Sequence, residues 1–168
     1  MPSVPGSPAA SAFASRVDRL ACLVAALGPC GFFPVAPASF ASFVLAAAYA
    51  FLPPLGAIAD GVAIVATTTV AIWAAGRAER IWGHDARRIV VDEAAGMTIT
   101  LFFLPPGLLV ALAGFFAFRV FDVLKPFPGR RAEGLPGGYG VVTDDVIAGI
   151  YANLTVRLAL VAFASIGR

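Results

Sequence analysis

Between Glu93 and Arg119 the chain carries 25 consecutive uncharged residues, interrupted only by the turn Pro105-Pro106-Gly107. A proline pair removes two backbone donors and a glycine tolerates the reversal, so such a run folds as a helical hairpin of two apolar segments, 89–104 and 108–124. The same grammar recurs along the chain. Residues 39–52 are uncharged and end at Pro53-Pro54-Leu55-Gly56, a second apolar run extends over 57–76, and a last one over 146–166 is broken only by Arg157. Asp60 lies near the start of the second run, within reach of headgroups, and Trp73 near its end, where an aromatic belt would sit. The pattern predicts an all-α polytopic membrane helical bundle with about four to five apolar helices joined by short Pro/Gly turns. Composition agrees, since hydrophobic residues are 60% and charged residues 13% of the chain, with a mean hydropathy of +0.88. Soluble globular proteins have about 45–50% and about 25%.

A chain of 168 residues supports one domain. Residues 1–19, of which the first 15 are rich in Pro, Ser and Ala and carry no Arg or Lys, lack the basic start and apolar stretch of a secretory signal. They are expected to form a disordered arm ahead of a single helical domain over 20–168. The apolar run 20–27 is too short to span a bilayer, and an arginine inside 146–166 must face the bundle or snorkel. A net charge of +2 argues for no nucleic-acid partner. Cys22 and Cys30 match neither a zinc site nor a disulfide framework and are expected as small apolar fillers.

Arg and Lys fall in the arm, in the polar loop 77–88 and in the loop 125–145, and are missing from the turns at Pro53 and Pro105. The positive-inside rule therefore places the three basic segments in the cytoplasm. Alternating helices then gather Ser39, Asp85, Asp92, Glu93, Arg119, Asp122, Lys125, Asp144 and Asp145 at that one face.

Helix-dipole stabilisation accounts for one acidic doublet at a helix start, with Thr143 as an N-cap for the second. Two doublets, Asp92-Glu93 and Asp144-Asp145, converging with Asp85 and Asp122 repel one another unless a cation lies between them. Oxygen-only ligands beside water suit Mg²⁺ shared with a phosphate. Arg119, Asp122 and Lys125 recur at intervals of three on one helix end before Pro126, as a terminal ion pair or as a basic clamp for phosphate oxygens. The Gly137-Gly138-Tyr139-Gly140 run gives a backbone able to approach a phosphate, so Gly138 joins the candidates for substrate binding. Ser39 either caps the first span or, with Ser42, offers a hydroxyl to a headgroup. His84 reads as a solvated loop residue.

Four ordered segments, 31–42 (GFFPVAPASFAS), 89–96 (IVVDEAAG) with Asp85 before it, 118–128 (FRVFDVLKPFP) and 137–149 (GGYGVVTDDVIAG), together resemble the motifs of the phosphatidylglycerophosphatase A family. The resemblance covers nearly the whole chain beyond the arm. It implies an Mg²⁺-dependent lipid phosphatase of the bacterial inner membrane, facing the cytoplasm and converting phosphatidylglycerophosphate to phosphatidylglycerol and phosphate. It further implies that Asp92, Glu93, Asp144 and Asp145, with Asp85 and Asp122, are the catalytic and metal carboxylates, and that Arg119 and Lys125 are the basic pair. The first motif departs from the family, with Ala38, Ser39 and Ala41 where the pattern has Gly, Thr and Gly. Alternative readings are a small membrane transporter or ion-binding module, a structural protein whose terminal charges are anchors, and a phosphatase for another lipid phosphate. A relay through the bilayer would put charges at mid-span, whereas all but Arg157 lie at span ends.

Overall fold

A computed structural model describes residues 15–53, 56–83 and 86–166, and every regular element among them is helical. The helices are α1 (Arg16–Ala25), α2 (Pro37–Phe51), α3 (Ala57–Trp82), α4 (Val91–Leu101), α5 (Leu108–Leu124), α6 (Gly129–Ala132) and α7 (Gly138–Ile166), with a 3-10 turn at Cys30–Phe32. The all-α expectation holds, whereas the expected four to five apolar spans are matched only in part. Only α3 and α7 are long and apolar enough to cross a membrane among the described residues. At about 1.5 Å per residue, α2, α4 and α5 reach roughly 22, 17 and 25 Å, short of a hydrocarbon core of about 30 Å. Most of α3 and α7 is not buried in the bundle. Ile58, Val62, Val65, Leu158, Val161 and Phe163 are all exposed apolar side chains on them.

Three boundaries differ from the sequence expectation, each for a physical reason. The polar stretch after residue 76 stays helical to Trp82, because Ala71, Ala74, Ala75 and Ala78 are buried in a cluster with Cys22 and Ala25 of α1 while Arg77 pairs with Asp18, also of α1, at 2.7 Å. Residues 16–19, assigned to a disordered arm, are the first turn of α1, capped by the Ser15 hydroxyl accepting from Asp18 N–H. The arm's residues 1–14 lie outside the described residues. The loop expected over 125–145 gives way to helix from Gly138, which makes the Thr143 cap unnecessary and puts Asp144 and Asp145 in the second turn of α7.

Helices α4 and α7 cross at the centre of the bundle, and the crossing is set by glycine. A Cβ on Gly149 would meet the Gly96 backbone carbonyl at 2.5 Å, and one on Gly96 would meet the Asp145 carbonyl at 2.9 Å. Small residues allow that backbone approach. Around it pack Ala46, Met97, Leu101, Ala111, Phe118, Ala148 and Ala152, all buried.

Arg157 faces the bundle, as one of its two expected positions required. Its Nη2 donates to the Phe102 carbonyl at 2.8 Å and its Nε to Asn153 Oδ1 at 2.7 Å, while Asn153 Nδ2 lies 2.9 to 3.2 Å from the carbonyls of Ile99, Thr100 and Phe102. Together they supply the donors that the C-terminus of α4 lacks. Replacing Asn153 by Leu should therefore cost about 1 to 3 kcal/mol. The check is thermal unfolding in detergent, where each kcal/mol should lower the midpoint by about 2 to 4 °C.

Candidate active site

Because successive helices run in opposite directions, one end of the bundle collects the starts of α2, α4 and α7 and the ends of α3 and α5. A cavity of about 630 Å³ opens there, and its walls include Ser39, Arg87, Asp92, Glu93, Arg119, Asp122, Lys125, Glu133, Asp144 and Asp145. Residues far apart in sequence, such as Ser39, Asp92 and Asp144, thus line one cavity. Six carboxylates against three cations make the cavity acidic.

Asp122, Asp144 and Asp145 form its inner group, each offering a carboxylate oxygen within 4.8 Å of the others. Asp144 Oδ1 and Asp145 Oδ2 are buried and have no hydrogen-bond partner. Like charges so close repel, and an orphaned buried oxygen on each is costly without a cation. The donors are all hard oxygens, which fits a divalent cation such as Mg²⁺. Asp92 lines the same cavity, with Oδ1 accepting the Glu93 N–H at 3.0 Å.

Glu93 is placed differently from the other carboxylates. It is 4% exposed, and Arg119 Nη1 donates to its Oε1 at 2.7 Å and its Oε2 at 2.9 Å. Both oxygens accept from Arg119, so Glu93, expected among the metal carboxylates, is also the counter-ion of Arg119. The other arm of the guanidinium, Nη2, sits 3.1 Å from Asp122 Oδ2. Lys125 bridges Glu133 and Asp144, at 2.8 Å from the latter. Partial burial pulls the Lys125 ammonium down, but its hydrogen bonds to Asp144 and Glu133 outweigh this and hold its pKa above the ordinary lysine range.

Ser39 is the third residue of α2 and lines the cavity; it does not cap the helix, since the cap position is Ala36 in left-handed geometry. Gly138 does not line the cavity. Its backbone is pressed onto α3 at Ile72 and Gly76, so it serves a helix crossing and not a phosphate nest, and Gly140 is the glycine that reaches the wall. Asp85 and His84 lie outside the described residues. Arg87 and Glu133 were missed by the sequence reading. Arg87 belongs to a visibly basic segment, but nothing local marks Glu133, whose partner Lys125 is eight residues away.

Comparison with known proteins bears on this arrangement. A family model described as Phosphatidylglycerophosphatase A matches residues 23–160. A protein of Bacteroides thetaiotaomicron, provisionally named a phosphatidylinositol-3-phosphatase, is 39% identical over 137 residues, covering 77% of this chain and 86% of that protein. Phosphatidylglycerophosphatase A of Haemophilus influenzae is 47% identical over 75 residues, covering 44% of this chain and 46% of the relative. The Escherichia coli protein of that name is 44% identical over 69 residues, covering 40% of each chain. No solved structure matches the chain.

Proposed function

The chain belongs to the phosphatidylglycerophosphatase A family, and from that premise we propose that it hydrolyses phosphatidylglycerophosphate to phosphatidylglycerol and inorganic phosphate at the cytoplasmic face of a bacterial inner membrane. The observation that carries this reading is the juxtaposition of Asp122, Asp144 and Asp145, two of whose buried oxygens are unpartnered, with Arg119 and Lys125 in one cavity. The exposed apolar faces of α3 and α7 and the basic segments at the cavity end support the membrane placement.

Asp122, Asp144 and Asp145 would hold Mg²⁺, with Asp92 beside them. Magnesium, when bound, supplies Lewis acidity toward a phosphoryl oxygen. The chain's own side chains do the rest. Arg119 and Lys125 offset charge on the equatorial oxygens, where fixed cations act most strongly as charge redistributes in the transition state. Ser39 and Gly140 shape the wall against which the headgroup rests. Asp92, which stands outside the Asp122, Asp144 and Asp145 group, takes a proton from the attacking water as the phosphorus–oxygen bond to glycerol breaks. The departing alkoxide is protonated from solvent at the open mouth.

A lipid inositol 3-phosphate is the second reading, favoured by the name of the Bacteroides relative. Both substrates present a phosphomonoester at headgroup depth, so the test is a comparison. Phosphate release from phosphatidylglycerophosphate, in detergent with Mg²⁺, should show the higher kcat/KM. A higher value for phosphatidylinositol 3-phosphate would move the assignment to the second reading, and no release from either would end both. Chelation should reduce release by about 10³-fold or more, and added Mg²⁺ should restore it. Release unaffected by chelator would remove the metal from this account.

A further inference from the structure

We propose that Ser42 is a positioning residue for Arg119, acting through Glu93; this rests on the phosphatase reading above. Ser42 lies one turn beyond the cavity-lining Ser39 on α2 and is completely buried. Its Oγ is 2.5 Å from Glu93 Oε2 and 2.9 Å from the Ala38 carbonyl. The hydroxyl has one proton, and the buried carboxylate is the stronger acceptor. Ser42 therefore donates to Glu93, across from the Arg119 Nη1 that donates to the same carboxylate.

The contacts form a chain across three helices. Ser42 on α2 holds Glu93 on α4, Glu93 holds Nη1 of Arg119 on α5, and Arg119 Nη2 reaches Asp122 at 3.1 Å. Asp122 is one of the three carboxylates grouped in the cavity lining. A glutamate has three rotatable side-chain bonds, and here it is clamped from both sides. Losing the hydroxyl frees Oε2 to turn, and the guanidinium follows it away from its place beside Asp122. Displacement of a phosphate-stabilising cation by a fraction of an ångström lowers turnover more than binding, because its charge is matched to the transition state.

The test is a double-mutant cycle in detergent with phosphatidylglycerophosphate, using protein shown by thermal unfolding to be folded. Ser42→Ala should lower kcat by about tenfold with KM changed by less than about twofold. In an Arg119→Lys background, which already lacks the planar fork, the same change should alter kcat by less than about twofold. Equal losses in both backgrounds, or no loss in the parent, would overturn the assignment. A second readout does not depend on turnover: in ¹⁵N-arginine NMR, a slowly exchanging guanidinium signal that disappears in Arg119→Lys should become fast-exchanging in Ser42→Ala. An unchanged signal would also overturn it. If the wild type releases no phosphate, the phosphatase reading fails, and the guanidinium signal alone decides whether Ser42 sets Arg119. Should Ser42→Ala not fold, Ser42→Cys, which keeps the volume and weakens the donor, is read in the same way.

Discussion

Asp145→Asn is expected to lose about three orders of magnitude in phosphate release while unfolding at a higher temperature than the wild type in chelator. The loss follows from removing a carboxylate at the proposed Lewis-acid site, worth about 4 kcal/mol of transition-state stabilisation. The gain follows from the same geometry. Asp145 is 4% exposed, groups with Asp122 and Asp144, and has an oxygen without a partner. With no cation bound, neutralising one of these carboxylates relieves repulsion and desolvation by about 1 kcal/mol, which raises the midpoint by about 2 to 4 °C. Calorimetry in EDTA together with release assays in Mg²⁺ checks both halves. A variant that loses activity and also stability would show that Asp145 serves the fold, not the reaction.

The second large effect is expected at a residue with no chemistry of its own. Gly149→Ala places a methyl 2.5 Å from the Gly96 carbonyl, a backbone atom that cannot rotate away. Helices α4 and α7 must then separate, and overpacking of this kind costs about 1 to 3 kcal/mol. These two helices carry Asp92 and Glu93 on one side and Asp144 and Asp145 on the other. Phosphate release should therefore fall by about 10²-fold, beyond what the loss of folded protein explains, since a shift of about 1 Å in the site can cost that much. Release per folded molecule equal to wild type would show that the crossing does not set the spacing of the carboxylates.

The helices and their turns were legible because apolar runs and Pro/Gly breaks are local signals; the run 108–124 coincides with α5, and the turn at Pro105 with the α4–α5 connection. Span number was not legible, because an apolar segment inside a bundle has the composition of one in lipid, and α4 is short yet mostly buried. Polarity misled at 77–82 and glycine at 138–145. Charges on one face do not end a helix whose other face is alanine, and glycines inside α7 mark close backbone contact where a loop was expected.

At the site, the sequence pattern brought the acidic doublets and the Arg119–Lys125 segment to one face, and the structure places them around one cavity. The Arg119–Asp122 pair on one helix was legible from its spacing, whereas partners on different helices were not. Nothing within 20 residues of Glu93 indicates that its counter-ion is Arg119, 26 positions away, or that Ser42, 51 positions away, completes the contact. Such pairings are products of helix packing and become visible only with the fold.

The central claim is that Asp122, Asp144 and Asp145 form a divalent-cation site at which a lipid phosphomonoester is cleaved. It is tested most directly by titrating the detergent-solubilised protein with Mn²⁺ and following free ion by electron paramagnetic resonance. Wild-type protein should bind Mn²⁺, compete it away with Mg²⁺, and bind it at least about tenfold more weakly as Asp145→Asn. Mn²⁺ left free by the wild type, or held equally well by Asp145→Asn, would contradict the account.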